Sequence, residues 1–359
     1  MNEPQSDPSP RVRAGQSIQY DVANLAEQAV DRQLRTHPEM REDFVGPRYL
    51  KAIQDTTYPL TALAQALLIE EPVLFVSYVI WAGIVLGNLG LPDRYLAGSL
   101  TAIRKTLVAS LDDRLSEAAA EYIDLSLSAL TDTPAQASAA PQEGAPFENV
   151  ALGYREALLA GDRAAAAGIV RDAVAAGAIL QDIYEHVFKT TQHEVGRLWQ
   201  SNRLSVAMEH YSTGATEAIM AQLSVTEPSA AAGAPRFLGA CVEGEEHDMA
   251  IRMVCDVLRA QGWDTFFLGA STPEYALVQA VEEFRPNALG LSATWLFNVD
   301  SVRCAVARVH RTHPDVKIVV GGAPFDRIAG LADKVGADAR GTSLLELPTQ
   351  LDRLISVSP

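Results

Sequence analysis

The hydrophobic pattern along the chain changes character twice. Over residues 19–131 apolar positions recur at helical spacing, in runs at 20–34, 44–53, 60–69, 73–86, 95–111 and 115–130. Between the runs stand His37-Pro38, Tyr58-Pro59, Glu71-Pro72 and Gly90-Leu91-Pro92, which interrupt helices. This stretch therefore predicts one all-helical domain. Residues 1–18, rich in Pro, Ser, Gln and Arg, are expected to form a disordered tail. Residues 132–146 have no periodicity and read as a linker. Helical spacing returns over 147–225, at 148–160, 163–175, 179–198 and 205–223, and predicts a four-helix bundle. A second Ala/Pro/Gly linker covers 226–235.

From residue 236 to 359 the pattern alternates. Strand-like runs at 236–242, 265–268, 288–292, 317–320 and 338–340 are separated by helix-like runs opening at Ala250, Pro273, Val299 and Phe325, with a last one from Leu344. That rhythm predicts a Rossmann-like, doubly wound parallel sheet. The fold class expected of the whole chain is mainly α plus α/β. Ligands of such sheets sit at the carboxyl ends of the strands, so the turns that follow the strands become the places to look for chemistry.

Composition narrows the function classes. The net charge of −16 disfavours a phosphate-binding surface, and no direct DNA binding is expected. Cys241, Cys255 and Cys304 are scattered, with no CxxC, as suits a reducing, cytoplasmic protein. The uncharged run 73–91 reaches bilayer length, but Ser77, Gly83, Gly87, Asn88 and Gly90 interrupt it and no Lys/Arg cluster flanks it. It reads as a buried central helix, and no membrane association is expected.

Three turns stand out. The first strand runs into Glu245-Glu246-His247-Asp248, the third ends in Ser292-Ala293-Thr294, and the fourth ends in Gly321-Gly322. No GxGxxG or GxxxxGK[ST] follows the first strand, which disfavours a dinucleotide or P-loop site. Taken alone, His247 is equally well a polar loop residue or a metal ligand whose tautomer Glu245 fixes. Gly-Gly after a strand lets a bulky ligand approach the backbone, and Ser292 offers it a donor. Together the turns resemble the cobalamin-binding Rossmann domain, whose pattern is D/E-x-H-x-x-G, S-x-L/T and GG. The resemblance implies that His247 is the lower cobalt ligand, in a base-off, His-on form. It implies that Glu245, Asp248, Ala250, Ser292, Thr294, Gly321 and Gly322 contact the lower face and the nucleotide tail. Ala250 departs from the family's glycine.

The bundle carries a second signal. Trp199 precedes Glu209-His210 by the spacing W-x9-EH, and Val206, Glu209 and His210 share one helix face. Read blandly, Trp199 is core and Glu209-His210 is surface. The spacing is similar to that of the light-sensing, adenosylcobalamin-dependent repressors of the CarH type. That resemblance implies that Trp199, Val206, Glu209 and His210 cap the upper face and the adenosyl group. Two departures stand beside it. The repressors' histidine after the tryptophan is Gln200 here, with His193 a turn or two earlier as the substitute on offer. The repressors' DNA-binding domain is replaced by the helical domain of residues 19–131.

A helical, aromatic-rich domain ahead of such a module resembles the photocobilins. That implies a light-sensing regulator, not itself an enzyme, which binds adenosylcobalamin and biliverdin, forms a homo-oligomer and acts on a downstream effector protein. No cysteine precedes Cys241, so a bilin in residues 1–235 is held without a covalent link. The residues offered for it are Tyr49, Tyr78 and Trp81 for packing and Arg48, Arg104 and Lys105 for the propionates, each of which reads equally as ordinary core or surface. The alternatives are a corrinoid carrier of a methyltransferase system, or a cobalamin-responsive regulator with no light function.

Overall fold

A computed structural model describes residues 7–38, 41–42, 44–91, 94–132, 144–224, 230–341 and 343–356. The chain divides into two compact units, Met1–Gln136 and Ala137–Pro359.

The first unit is helical, as the spacing predicts: α1 (Pro10–Tyr20), α2 (Val22–Thr36), α3 (Pro47–Ile69), α4 (Pro72–Asn88), α5 (Arg94–Ser110) and α6 (Asp113–Asp132). Two expectations need correction. Much of the expected tail is α1. Ser9 caps it by accepting from the Val12 N–H at 3.2 Å, and Ala14 and Ile18, one turn apart, are fully buried. The break expected at Tyr58-Pro59 is absent, because α3 runs straight through Pro59. A mid-helix proline costs about 3 kcal/mol. The same helix buries Leu60, Leu63 and Leu67 to 1 % exposure or less, at roughly 2 kcal/mol each, so packing outweighs the breaker. The uncharged run forms α4, which buries Leu74, Phe75, Tyr78 and Val79. Among the described residues no helix is long and apolar enough to cross a membrane.

The second unit begins with the helices α7 (Glu148–Leu159), α8 (Arg163–Ala175), α9 (Leu180–Asp182), α10 (Lys189–Gln200) and α11 (Val206–Ser224). The run expected as one helix over 179–198 contains a π-helical turn, Ile183–Phe188, between α9 and α10. The remaining elements alternate: β1 (Arg236–Val242), α12 (Met249–Ala260), β2 (Asp264–Thr272), α13 (Glu274–Phe284), β3 (Ala288–Ser292), α14 (Val299–Thr312), β4 (Lys317–Gly321), α15 (Ala323–Arg327), α16 (Leu331–Lys334), β5 (Ala339–Arg340) and α17 (Leu347–Ser356). The expected second strand is thus too short, and the last helix opens three residues after Leu344. Of the two expected linkers, residues 133–143 and 226–229 lie outside the described residues.

All strands of the sheet pair in parallel, in the order β2-β1-β3-β4-β5. The chain steps from β1 outward to β2 and then returns to the other side of β1 for β3. The switch point therefore lies between the carboxyl ends of β1 and β3, where a ligand crevice opens. The bundle and the sheet are not separate bodies with separate cores. Tyr184, Val187 and Phe188 of the π-turn share one apolar cluster with Met253 and Val257 of α12 and with Leu344. Tyr184 Oη donates to Asp256 Oδ2 at 3.0 Å, and the Leu344 N–H donates to Glu185 Oε2 at 3.0 Å. The bundle is thereby fixed to α12 and to the segment after β5.

Candidate functional site

From Phe237 to Val242, β1 is buried at every position, as a central parallel strand must be. Its chain then has to turn sharply. Gly244 makes that turn at φ +84°, its N–H donating to Ser271 Oγ at 3.0 Å. The turn sends Glu245 into the protein, where it is fully buried, and leaves the His247 side chain about half exposed.

Glu245 is the hub of the switch point. Its Oε1 accepts from the His247 backbone N–H at 3.0 Å and lies 2.6 Å from His247 Nδ1. Its Oε2 accepts from the backbone N–H groups of Thr294 at 2.6 Å and Trp295 at 3.0 Å, and from Asn298 Nδ2 at 3.0 Å. Burial pushes the carboxyl pKa up, but the His247 ring and the N–H groups of Trp295, His247 and Thr294 outweigh it and bring it down to about 2. Desolvating a carboxylate costs several kcal/mol. Hydrogen bonds to a charged acceptor return about 1.5–3 kcal/mol each, so this many donors hold the group ionised. A fixed negative charge at Nδ1 makes that nitrogen the donor and leaves Nε2 as the lone-pair nitrogen. The His247 pKa is raised, first by its bond to Glu245, against desolvation, with Glu209 and Glu246 adding to it.

The neighbouring strand ends complete a cradle. Ser292 is buried and stands in register with Cys241 of β1 and Gly321 of β4. A methyl group added at Gly321 would meet nothing, so a ligand has room there. Gly322 has φ +110°, and a side chain on it would run into the Ala293 carbonyl. Only glycine lets β4 pass this close to the turn after β3. Asp248 is half-buried just ahead of α12, and Ala250, in its first turn, is exposed, so its methyl crowds nothing in the chain.

Two carboxylates of α11 face the first turn. Glu209 on α11 acts electrostatically on His247, and Glu217, two turns on, has its pKa raised first by burial and then by Asp248, against Arg252. The face of α11 that overlooks the first turn carries Val206, 54 % exposed, and His210, also exposed. Glu209 is held between His210 Nδ1 at 2.6 Å and Thr213 Oγ1 at 3.2 Å. Trp199 is half-buried near the end of α10, and Gln200 closes that helix. His193, on α10, feels Asp326 and Arg327 beside the Gly-Gly turn, and burial is the first cause of its lowered pKa.

The residues offered for a bilin do not gather in this way. Tyr49 donates to Asp31 at 2.8 Å and lines a cavity of about 430 Å³ with Arg35, Arg41 and Phe44. Tyr78 and Trp81 pair with each other on α4, 6.1 Å apart. Arg104 is bound to Asp124 at 2.8 Å, and Arg48 and Lys105 are exposed.

Sequence reasoning missed Trp295 and Asn298, which complete the shell of Glu245. The signal available was the acceptor capacity of Glu245 itself, since a buried carboxylate needs more donors than one histidine.

Comparison with known proteins agrees with this geometry. Residues 235–347 match a model of the B12 binding domain, and residues 151–224 match a second B12 binding domain model. Dimethylamine corrinoid protein 2 of Methanosarcina mazei is 25 % identical over 181 residues, covering 48 % of this chain and 82 % of that protein. Trimethylamine corrinoid protein 1 of the same organism is 26 % identical over 213 residues, covering 57 % of this chain and 96 % of that protein. The structure of the Methanosarcina barkeri monomethylamine corrinoid protein superposes with a TM-score of 0.51 over 58 % of this chain and 99 % of its own, at 21 % identity, a likeness of fold. The two matched regions are the bundle and the sheet domain, which share one apolar cluster: together they form a cobalamin-binding module.

Proposed function

We propose that this chain is a corrinoid carrier that holds cobalamin base-off and His-on and presents it to a methyltransferase partner. The observation that carries the reading is the Glu245–His247 pair at the switch point, with Nε2 left as the ligating nitrogen. Its likeness to the dimethylamine and trimethylamine corrinoid proteins supports the carrier role. A bound corrinoid supplies a cobalt centre that takes up and releases a one-carbon group. The chain's own residues bind and orient. His247 would ligate the cobalt, with Glu245 fixing its tautomer, and Ser292, Gly321 and Gly322 would receive the nucleotide tail. Trp199, Val206, Glu209 and His210 cover the upper face. The chain itself is then no enzyme, and the transfer chemistry belongs to its partner.

The upper face favours a second reading. Trp199, Glu209 and His210 follow the W-x9-EH pattern, with Val206 on the same helix face as the last two, and Glu209 sits within electrostatic reach of His247. This supports a light-sensing regulator that holds adenosylcobalamin, changes oligomeric state on illumination and signals to an effector protein. Non-covalent biliverdin in the first unit belongs to this reading.

One experiment separates the two. The protein is loaded in the dark with methylcobalamin or adenosylcobalamin, and absorption and size-exclusion profiles are recorded before and after green light. The carrier reading expects His-on binding of methylcobalamin and an elution profile that light does not move. A light-driven change in elution of the adenosylcobalamin complex, or a red-absorbing protein on co-expression with a haem oxygenase, selects the second reading. Failure to bind either cobalamin overturns both.

A further inference from the structure

The imidazole of His247 is held at one point. Its Nδ1 is bonded to Glu245, while about half of the side chain is exposed. A single hydrogen bond fixes the position of one ring atom but not the plane of the ring, and Nε2 lies on the far side. Rocking about that bond therefore displaces the ligating nitrogen. The plane is set by a second contact. The Trp295 ring meets the His247 ring edge-on, with centroids 5.7 Å apart and planes at 60°. Trp295 is itself fixed twice, by its backbone N–H on Glu245 Oε2 at 3.0 Å and by Phe297, stacked 5.7 Å away at 22°.

We propose that Trp295 is a positioning residue for cobalt ligation, its ring bracing the plane of the His247 imidazole and Phe297 bracing Trp295 in turn. The proposal rests on His247 being the lower ligand. Phe297, Trp295 and His247 form a row of rings, and Glu245 binds both His247 and Trp295 through one carboxylate. The backbone bond from residue 295 to Glu245 survives any side-chain substitution there. The effect of the ring can thus be read apart from the effect on the carboxylate.

The test uses the full chain loaded with cobalamin. The ratio of His-on to His-off cofactor is read by absorption, and the axial nitrogen by electron paramagnetic resonance of the cob(II)alamin form. Trp295→Ala lowers the His-on ratio about fivefold, the worth of one aromatic edge contact, with the apo protein still folded. Trp295→Phe restores most of it, because a ring returns to the same place. Phe297→Ala gives a smaller drop in the same direction. The proposal is overturned if Trp295→Ala keeps the wild-type ratio, or if Trp295→Phe is as impaired as Trp295→Ala. Should Trp295→Ala fail to fold, an unchanged ratio in Phe297→Ala overturns it. His247→Ala is measured alongside. If it matches wild type, the assignment of the ligand has failed, and the brace is not what was tested.

Discussion

Glu245→Gln is the substitution that questions the site most directly. The amide has the shape of the carboxylate, but one of its ends donates. At the Oε2 position an NH2 group would face three donors, Thr294 N, Trp295 N and Asn298 Nδ2. At the Oε1 position it faces two, the N–H and the ring of His247. The amide nitrogen therefore settles against His247. The ring can answer by moving its proton to Nε2 and accepting at Nδ1, which removes the lone pair proposed to bind cobalt. The turn after β3 keeps its bonds while the His-on form disappears.

The stability cost follows from linkage. The carboxyl pKa falls from 4.5 to about 2 on folding, worth about 3 kcal/mol. Because the folded value is depressed, this contribution is complete above pH 4.5 and is lost as pH falls toward 2. Glutamine has no such contribution. In apo protein at pH 7 the variant should melt roughly 10 °C below wild type, for a unit of this size. The gap should close across the acid window. Melting is followed by near-ultraviolet circular dichroism at several pH values, and ligation by the absorption of bound cobalamin. A variant that melts with wild type at pH 7 and still binds His-on would refute the assignment of Glu245 as an ionised hub.

Other outcomes are expected from the same geometry. His247→Ala removes one of the donors that hold the buried Glu245 ionised, so it should lower the melting temperature, though by less than Glu245→Gln because the backbone donors remain, and weaken cobalamin binding at least tenfold (about 1.4 kcal/mol), measured by spectroscopic titration. Gly322→Ala combines a φ of +110° with an overlap on the Ala293 carbonyl, and should cost about 3 kcal/mol of stability in denaturant unfolding. Asp256→Asn probes the joint between bundle and sheet. Burial raises the Asp256 pKa, against the Tyr184 hydroxyl, Arg252 and Arg259, so stability is lost as pH rises from the unfolded value through the raised one. Asparagine still accepts from Tyr184 but carries no charge. The variant should match or exceed wild type in melting temperature at pH 8 and lose that part of the pH dependence, and a large destabilisation at pH 8 would contradict it.

What the residues determine by themselves is periodicity and turn chemistry, because both are local. Alternating strand and helix runs indicate the parallel sheet, and the three turns that end its strands mark the crevice. Val206, Glu209 and His210 share one helix face because a helix repeats at a fixed interval, whereas Trp199 stands on the helix before it. Pro59 and the first helix lay beyond that reasoning. A proline penalty or a sparse apolar pair can be weighed only once the buried face of the neighbouring helix is known. The same holds at the centre of the site. The sequence brings Glu245 and His247 within two residues of each other, but Thr294, Trp295 and Asn298 are about fifty residues further along. Parallel pairing of β3 beside β1 is what carries their donors to the carboxylate, and so it is the tertiary structure that turns a loop histidine into an oriented one.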